Sequence, residues 1–449
     1  MSETDFTRRN FMGAAAVAGA GMLLAGCNTK KTVEAMKFND AAPDGPVLKA
    51  GLVGCGGRGT GAVQNFLKAG PNLQIVALAD VFQDQLDKCR RRLEGRPEAK
   101  ITDETCFVGF DSYKKLIDSG VDIVILATPP YFRSLHFEAA VEAKKHVFME
   151  KPVAVDPVQA RQIMASGEKA KAYNLSVVAG TQRRHQRQYL ETYNHIKNGA
   201  IGEIVAARAY WCQGQLWYKE RKKEWSDMEA MLRDWVNWSW LSGDHIVEQH
   251  VHNVDVCNWF IGAYPVKASG FGGRMRRVTG DQYDFFGVDY TYENGVHATS
   301  YCRQIDGCWN DVSEYIEGTE GSTNCKGTIY DKKGNVVWQY QEDDPKEAGK
   351  KMEAERSSMD PYVQEHIDLV TAIRTNQPFN EAESVAKSTL TAIMGRISAY
   401  TGPETTWDQM MSSDLKLGPT EFALGPVPGI TAQVQIPGKS KEVKGGPEE

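Results

Sequence analysis

After the apolar run Leu48–Val53 the chain reads Gly54-Cys55-Gly56-Gly57-Arg58-Gly59, and a helical stretch, Gly61–Lys68, follows at once. A GxGxxG loop between a strand and a helix admits few folds. The first glycine makes the tight turn, the second lets the backbone approach a pyrophosphate, and the third lets helix and strand pack closely. The helix N-terminus then faces the anionic phosphates. Asp80 closes the next apolar run, Leu73–Ala79. A carboxylate there accepts a hydrogen bond from a ribose 2′-hydroxyl and repels a 2′-phosphate. Residues Gly54, Gly56, Gly57, Gly59 and Asp80 therefore point to NAD, and the cation Arg58 leaves NADP open.

The same rhythm continues downstream. Apolar runs at Ile123–Ala127, His146–Met149 and Leu175–Ala179 alternate with helical stretches at Gln83–Leu93, Ser134–Ala143 and Pro157–Lys171. Short apolar strands separated by helices predict βαβ units and a parallel sheet buried on both faces. Past Ala179 the pattern changes. A helix at Gln186–Asn198, a strand at Ile204–Trp211 and a helix at Val247–Phe260 precede several strand-like runs between Val266 and Tyr340. Two helices follow, at Tyr362–Arg374 and Ser384–Tyr400. Consecutive strands without intervening helices predict a large, mostly antiparallel sheet with helices on one face. The expected α/β organisation is a doubly wound Rossmann domain over 47–179, a second α/β domain over 180–425 and a loosely packed tail over 426–449.

The first 46 residues differ from the rest. Arg8-Arg9-Asn10-Phe11 precedes a small-residue apolar run, Gly13–Gly26, too short to cross a bilayer as an ordinary helix. It fits a twin-arginine export signal over 1–26. Leu24-Ala25-Gly26-Cys27 resembles a lipoprotein cleavage site, which would leave a lipid anchor on Cys27 and a tether over 27–46. The expected location is the periplasm, at a membrane surface. With 449 residues, 41% hydrophobic and a net charge of -6, the chain is neither disordered nor a dedicated nucleic-acid binder. A mean hydropathy of -0.44 excludes a polytopic membrane protein. No CxxC occurs among the nine cysteines, and no Cys/His spacing matches structural zinc.

Chemistry-bearing residues gather after two of the runs. Thr128-Pro129-Pro130 follows Ile123–Ala127, with His136 shortly after, and Glu150-Lys151-Pro152 follows His146–Met149. Open α/β sheets place ligands at these carboxyl ends. A lysine there can hydrogen-bond a substrate hydroxyl and assist its proton transfer; the alternative is a surface lysine at a turn.

The glycine loop, Asp80, His136 and Glu150-Lys151-Pro152 resemble the Gfo/Idh/MocA oxidoreductases. The resemblance runs from about Lys49 to Asp408 and includes Ala392-Ile393-Met394-Gly395-Arg396 and Thr406-Trp407-Asp408. It implies an N-terminal Rossmann domain, a C-terminal domain with a large open sheet, tightly held NAD(P), and sugar or cyclitol substrates. It also implies homodimers or tetramers through the sheet face. Lys151 falls on the family's catalytic lysine, and Thr128, Pro129, His136, Glu150 and Lys151 on its cofactor-side positions.

A second family motif, GG-x-x-x-D-x-G-x-H-x-x-D, meets the segment Ser242–Asp255. Glu248 falls where the family has Asp, His252 on its catalytic His, His250 on its Gly, and Asp255 on its final Asp. On one continuous helix Glu248 and His252 share a face, so the carboxylate would orient the imidazole as a general acid/base. His250 would point elsewhere. Four ligand-type side chains in this segment raise a metal site, but HExxH spacing is absent and no metal is expected.

Six tryptophans fall between Trp211 and Trp240. Trp238 is a candidate sugar-stacking ring, with Arg184, His185, His250 and Asp255 as candidate polar contacts; the alternative is an aromatic core or subunit interface. The expected function is NAD(P)-dependent hydride transfer at a carbinol carbon of a carbohydrate or glycoside. Alternatives are a glycosidase working by transient oxidation, with His252 or His185 as its base, and a non-catalytic sugar-binding protein.

Overall fold

The computed structural model describes residues 38–341 and 360–439, together with Val33 and Met36. The export signal and Cys27 lie outside the described residues.

Leu48–Val53 (β1), Leu73–Asp80 (β2), Cys106–Val108 (β3), Ile123–Leu126 (β4), His146–Met149 (β5) and Val177–Ala179 (β6) form a parallel sheet in the order β3-β2-β1-β4-β5-β6. Ile123, Val124, Ile125 and Leu126 are fully buried, as expected for a strand covered on both faces by crossover helices. The strand order reverses between β1 and β4, which sets a crevice at their carboxyl ends. β3 and the helix Ser112–Ile117 have no counterpart in the sequence pattern. β3 is three residues long and incompletely buried, so it lacks the apolar run that marks the others.

The second sheet has nine strands, ordered β14-β13-β12-β11-β7-β10-β9-β8-β15. Ile204–Gln213 (β7) and His297–Gln304 (β10) pair in parallel at its centre, and the other pairs are antiparallel. The strands completing it are Lys267–Gly273 (β8), Phe285–Thr291 (β9), Asp311–Gly318 (β11), Gly321–Thr323 (β12), Thr328–Asp331 (β13), Val336–Gln339 (β14) and Thr405–Thr406 (β15). Burial alternates along β10, with Ala298, Ser300, Cys302 and Gln304 turned inward. The inward face meets the helices Val251–Ile261 and Ala382–Thr401, whereas Val205, Phe271, Tyr301 and Val312 remain exposed.

Three expectations are corrected. The segment read as one helix, Val247–Phe260, is two: His245–Glu248 and Val251–Ile261, with Gln249 and His250 between them. The part of the tether in view is docked on the body. Ala42 N donates to Ala69 O at 2.7 Å, and Arg374 donates to Pro43 O and Pro71 O at 2.6 and 2.8 Å. The part of the tail in view, through Lys439, is also anchored: Val427 is buried, Tyr283 OH donates to Gln435 O at 2.9 Å, and Gly438 N donates to Thr401 O at 2.7 Å.

Candidate active site

The glycine loop fits a dinucleotide. Gly54 has φ +97°, a left-handed conformation that favours glycine. A Cβ on Gly59 would lie 1.9 Å from Gly54 O, so only glycine lets the helix start this close to the turn. A Cβ on Gly56 or Gly57 would meet no protein atom within 4 Å. The space above these two glycines, at the start of the helix Gly57–Lys68, is therefore open for a pyrophosphate. Asp80 ends β2, and its two oxygens accept from Cys55 N (2.7 Å) and Phe82 N (2.8 Å). Burial raises its pKa despite these bonds.

Arg58 pairs with Glu150. Its Nε lies 2.8 Å from Glu150 Oε1, and its guanidinium stacks over the Tyr362 ring at 5.0 Å. His136 lies beneath the Thr128-Pro129-Pro130 turn, with Nδ1 3.3 Å from Thr128 Oγ1 and its ring stacked on Phe132. Burial and the adjacent Arg133 lower its pKa to about 3, so it is a neutral support. Arg133, not anticipated from the sequence, is itself buried and donates to Thr128 O at 2.8 Å.

Lys151, at the carboxyl end of β5, reaches into the break between the two helices. Its Nζ donates to the Glu248 carbonyl oxygen at 2.7 Å and to Glu248 Oε1 at 3.2 Å. In a continuous helix that carbonyl would accept from His252 N. Instead His252 N is 3.4 Å from Gln249 O, and His250 N bonds back to His245 O at 3.1 Å. This wider turn inserts a residue into the helical phase, as π-type bulges do, often at functional sites. Glu248 therefore partners Lys151 rather than His252, contrary to the expectation from helical spacing. Two of the three ammonium protons are engaged, which leaves one for a ligand. Glu248 Oε2 and His252 Nδ1 are buried without a hydrogen-bond partner among the described residues.

His252 is oriented by stacking. Trp211 lies 5.6 Å away at an interplanar angle of 18°, and the Arg183 guanidinium covers Trp211 at 5.6 Å. Arg183 is pinned by Glu314 Oε1 at 2.7 Å, and that carboxylate also accepts from Tyr189 OH and Asn253 Nδ2. Burial, with Lys151 and Arg183 nearby, pushes the His252 pKa well below its ordinary value. The imidazole is thus neutral. Arg183, Trp211 and Glu314 were not singled out as site residues. The sequence signals were faint: a basic pair after β6 and an inward-facing position on β7.

The remaining candidates are engaged elsewhere. Arg184 forms a bidentate pair with Asp255 (2.7 and 2.9 Å), and Asp255 also accepts from Ser388 Oγ at 2.7 Å. His185 is buried between Asp368 Oδ2 (2.6 Å) and Glu381 Oε2 (3.3 Å). Burial alone would lower its pKa, but the two carboxylates outweigh it and raise the pKa well above the ordinary value. A histidine held as a cation is a poor base. His250 is buried against the sheet, with Nε2 2.6 Å from Ser300 Oγ. Trp238 is partly buried and packs against the cluster that contains Trp240, Tyr131 and Phe132. Among the described residues no three His, Cys, Asp or Glu side chains converge as metal ligands.

A pH profile tests the base. The His252-dependent acid limb of kcat/KM should lie below the ordinary histidine range near 6.5. Replacing Arg183 and Glu314 together by Gln removes a cation without stranding the buried carboxylate, and should move that limb upward. An unmoved limb would show that Arg183 does not set the protonation of His252.

Family models match in two places. Residues 48–179 match the NAD-binding Rossmann fold of the Gfo/Idh/MocA oxidoreductase family, and residues 189–324 match the Gfo/Idh/MocA C-terminal domain. The chain is 22% identical over 278 residues to scyllo-inositol 2-dehydrogenase (NAD(+)) of Bacillus subtilis, covering 61% of this chain and 72% of that protein. It is 26% identical over 223 residues to a glycosyl hydrolase family 109 protein of Shewanella baltica, spanning 47% of each chain. The apo scyllo-inositol dehydrogenase structure from Lactobacillus casei superposes with a TM-score of 0.59 at 20% identity, covering 80% of this chain and 98% of that one. The glycine loop, the two sheets and both family matches agree: this chain belongs to the Gfo/Idh/MocA family of NAD-binding oxidoreductases.

Proposed function

We propose that the protein transfers hydride at a ring hydroxyl carbon of a sugar or cyclitol, using NAD that stays on the protein. One observation carries this reading: Lys151, clasped by Glu248, lies at the carboxyl end of β5 in the same break that places the neutral base His252. Bound NAD supplies the hydride acceptor and donor. Lys151 binds the hydroxyl oxygen through its remaining N–H and stabilises the developing alkoxide. His252 takes the hydroxyl proton on oxidation and returns it on reduction. Glu248 fixes the ammonium, and the Trp211–Arg183 stack fixes the imidazole.

NAD is favoured over NADP because Asp80 ends β2 while Arg58 is committed to Glu150. Asp80→Ser should weaken NADH binding about tenfold or more, the scale of a lost charged hydrogen bond. It should also narrow the NADH-over-NADPH preference, read by fluorescence titration. A wild-type protein that binds both equally would remove the basis for this preference.

The arginine pair Arg8-Arg9 and Cys27 support export and lipid anchoring. Twin-arginine export moves folded proteins, so a cofactor loaded in the cytoplasm can travel with its protein. Free NAD is scarce outside, which favours a resident cofactor and redox-neutral chemistry. The exposed apolar residues Val205, Phe271, Tyr301 and Val312 support self-association through the open sheet face.

Similarity to the family 109 glycosyl hydrolase favours a second reading, glycoside cleavage. Oxidation of a ring hydroxyl acidifies the neighbouring C–H, His252 removes that proton, and the aglycone leaves. Water then adds, and the ketone is reduced again, so no net electrons are consumed.

The two readings separate in one experiment. The purified protein is incubated, without added NAD, with cyclitols, sugars and aryl glycosides. Reduced-nicotinamide absorbance without aglycone release supports the dehydrogenase. Released aglycone without net reduction supports the glycosidase. Neither, across a broad panel, would overturn both and leave a sugar-binding protein.

A further inference from the structure

We propose that the segment from Ser413 to Lys439 is a strap that closes the adenosine end of the cofactor groove and makes NAD a slowly exchanging, resident group. The proposal deepens the resident-cofactor reading above and rests on it.

The strap is held at its start, middle and end. Arg161 donates to Met410 O (2.7 Å) and Ser413 O (2.5 Å), and Leu417 N donates to Asp156 Oδ2 at 2.9 Å. Tyr131 OH donates to Pro419 O at 3.4 Å, and Met228 N donates to Gly425 O at 3.0 Å. The end returns to the second sheet through the bonds at Gln435 and Gly438 described above.

Its middle crosses the carboxyl ends of the parallel strands. Phe422 packs 5.4 Å from Phe132 and 6.1 Å from Phe110. Phe110 lies two residues beyond β3, Tyr131 and Phe132 in the turn that follows β4, and Phe82 two residues beyond Asp80. Phe82 and Phe110 border the same aromatic cluster as Phe422. Ligands of doubly wound sheets lie outside these carboxyl ends, and the acidic residue ending β2 marks the adenosine ribose. A second piece of the chain reinforces the closure: Arg233 lies 4.0 Å over the Phe82 ring and pairs with Asp84 at 3.0 Å.

The aromatic side chains beyond β2, β3 and β4 are thus covered by a chain segment from the far end of the sequence. An adenine ring suits such side chains, being flat and largely apolar on its faces. Release of the adenosine half would require this segment to lift, so the strap should act chiefly on the dissociation rate.

Exchange kinetics test this. Protein loaded with NADH is chased with excess NAD, and loss of bound-NADH fluorescence gives the release rate. Phe422→Ala should speed release tenfold or more. Gly418→Ala should do the same, because its Cβ would lie 2.5 Å from the Tyr131 ring and push the strap outward. Val336→Ala, on the exposed edge strand β14, should leave the rate unchanged. Slow wild-type release that neither strap variant alters would overturn the strap but leave the resident-cofactor reading standing. Wild-type release within seconds would overturn both. Hydrogen exchange on the wild-type protein gives a readout independent of variant folding. Amides of 413–430 should be slowed by NAD, and unchanged exchange there would overturn the strap.

Discussion

Lys151→Met should cost two to four orders of magnitude in kcat, the range expected when a positioned acid–base group is lost, about 10²–10⁴-fold. NAD should remain bound at wild-type stoichiometry. The reason is geometric: the ammonium contacts Glu248 through both its backbone carbonyl and its carboxylate, and not the glycine loop. Single-turnover absorbance, with cofactor content measured on the same sample, separates the two effects. Arginine at this position should not rescue turnover, because its planar fork does not reproduce a point donor held between a carbonyl and a carboxylate. A Lys151→Met protein that turned over within a few-fold of wild type would remove Lys151 from the chemistry.

The second large effect distinguishes two glycines in one loop. Gly59→Ala places a methyl group 1.9 Å from Gly54 O and 3.2 Å from the Ala127 side chain. The loop has to open, at a cost of about 1–3 kcal/mol or more for overpacking. The cofactor-free protein should therefore melt several degrees lower, and NAD binding should be lost as well. Gly57→Ala meets no protein atom within 4 Å, so the melting temperature of the cofactor-free protein should hardly change. Binding of NAD should still fall steeply, since the methyl group enters the space meant for the pyrophosphate. Equal melting temperatures for the two variants would contradict the packing argument. Undiminished NAD affinity in Gly57→Ala would contradict the placement of the phosphates.

The parallel sheet was legible because local signals agreed: β1, β2, β4, β5 and β6 are short apolar runs flanked by helices with polar outer faces. β3 was not legible, because an edge strand three residues long with partial burial has no pattern to recognise. The catalytic segment was half legible. His252 and Asp255 matched the family motif, Glu248 and His250 departed from it, and Lys151, Glu248 and His252 do come together. Their partnerships were misread, because spacing was taken on a continuous helix. The helix breaks where Lys151, nearly a hundred residues earlier in the chain, captures the Glu248 carbonyl.

The roles of the basic and aromatic clusters also depended on the fold. Gln182-Arg183-Arg184-His185 looks like one polar patch in sequence. In three dimensions Arg183 goes to Glu314, Arg184 to Asp255, and His185 to Asp368 and Glu381. The tryptophans divide likewise. Trp211 stacks on His252, whereas Trp238 and Trp240 belong to the cluster around Tyr131 and Phe132.

The sequence by itself determined the elements whose causes are local. These are the glycine loop, whose backbone only glycine permits, the acidic end of β2, and the alternation of buried strands with covering helices. Tertiary structure alone decided which charge meets which. A buried side chain takes its ionic partner and its pKa from groups brought near by folding, and their distance along the chain says nothing of it. For that reason His185 is held as a cation and His252 as a neutral imidazole, although both were plain histidines in the sequence.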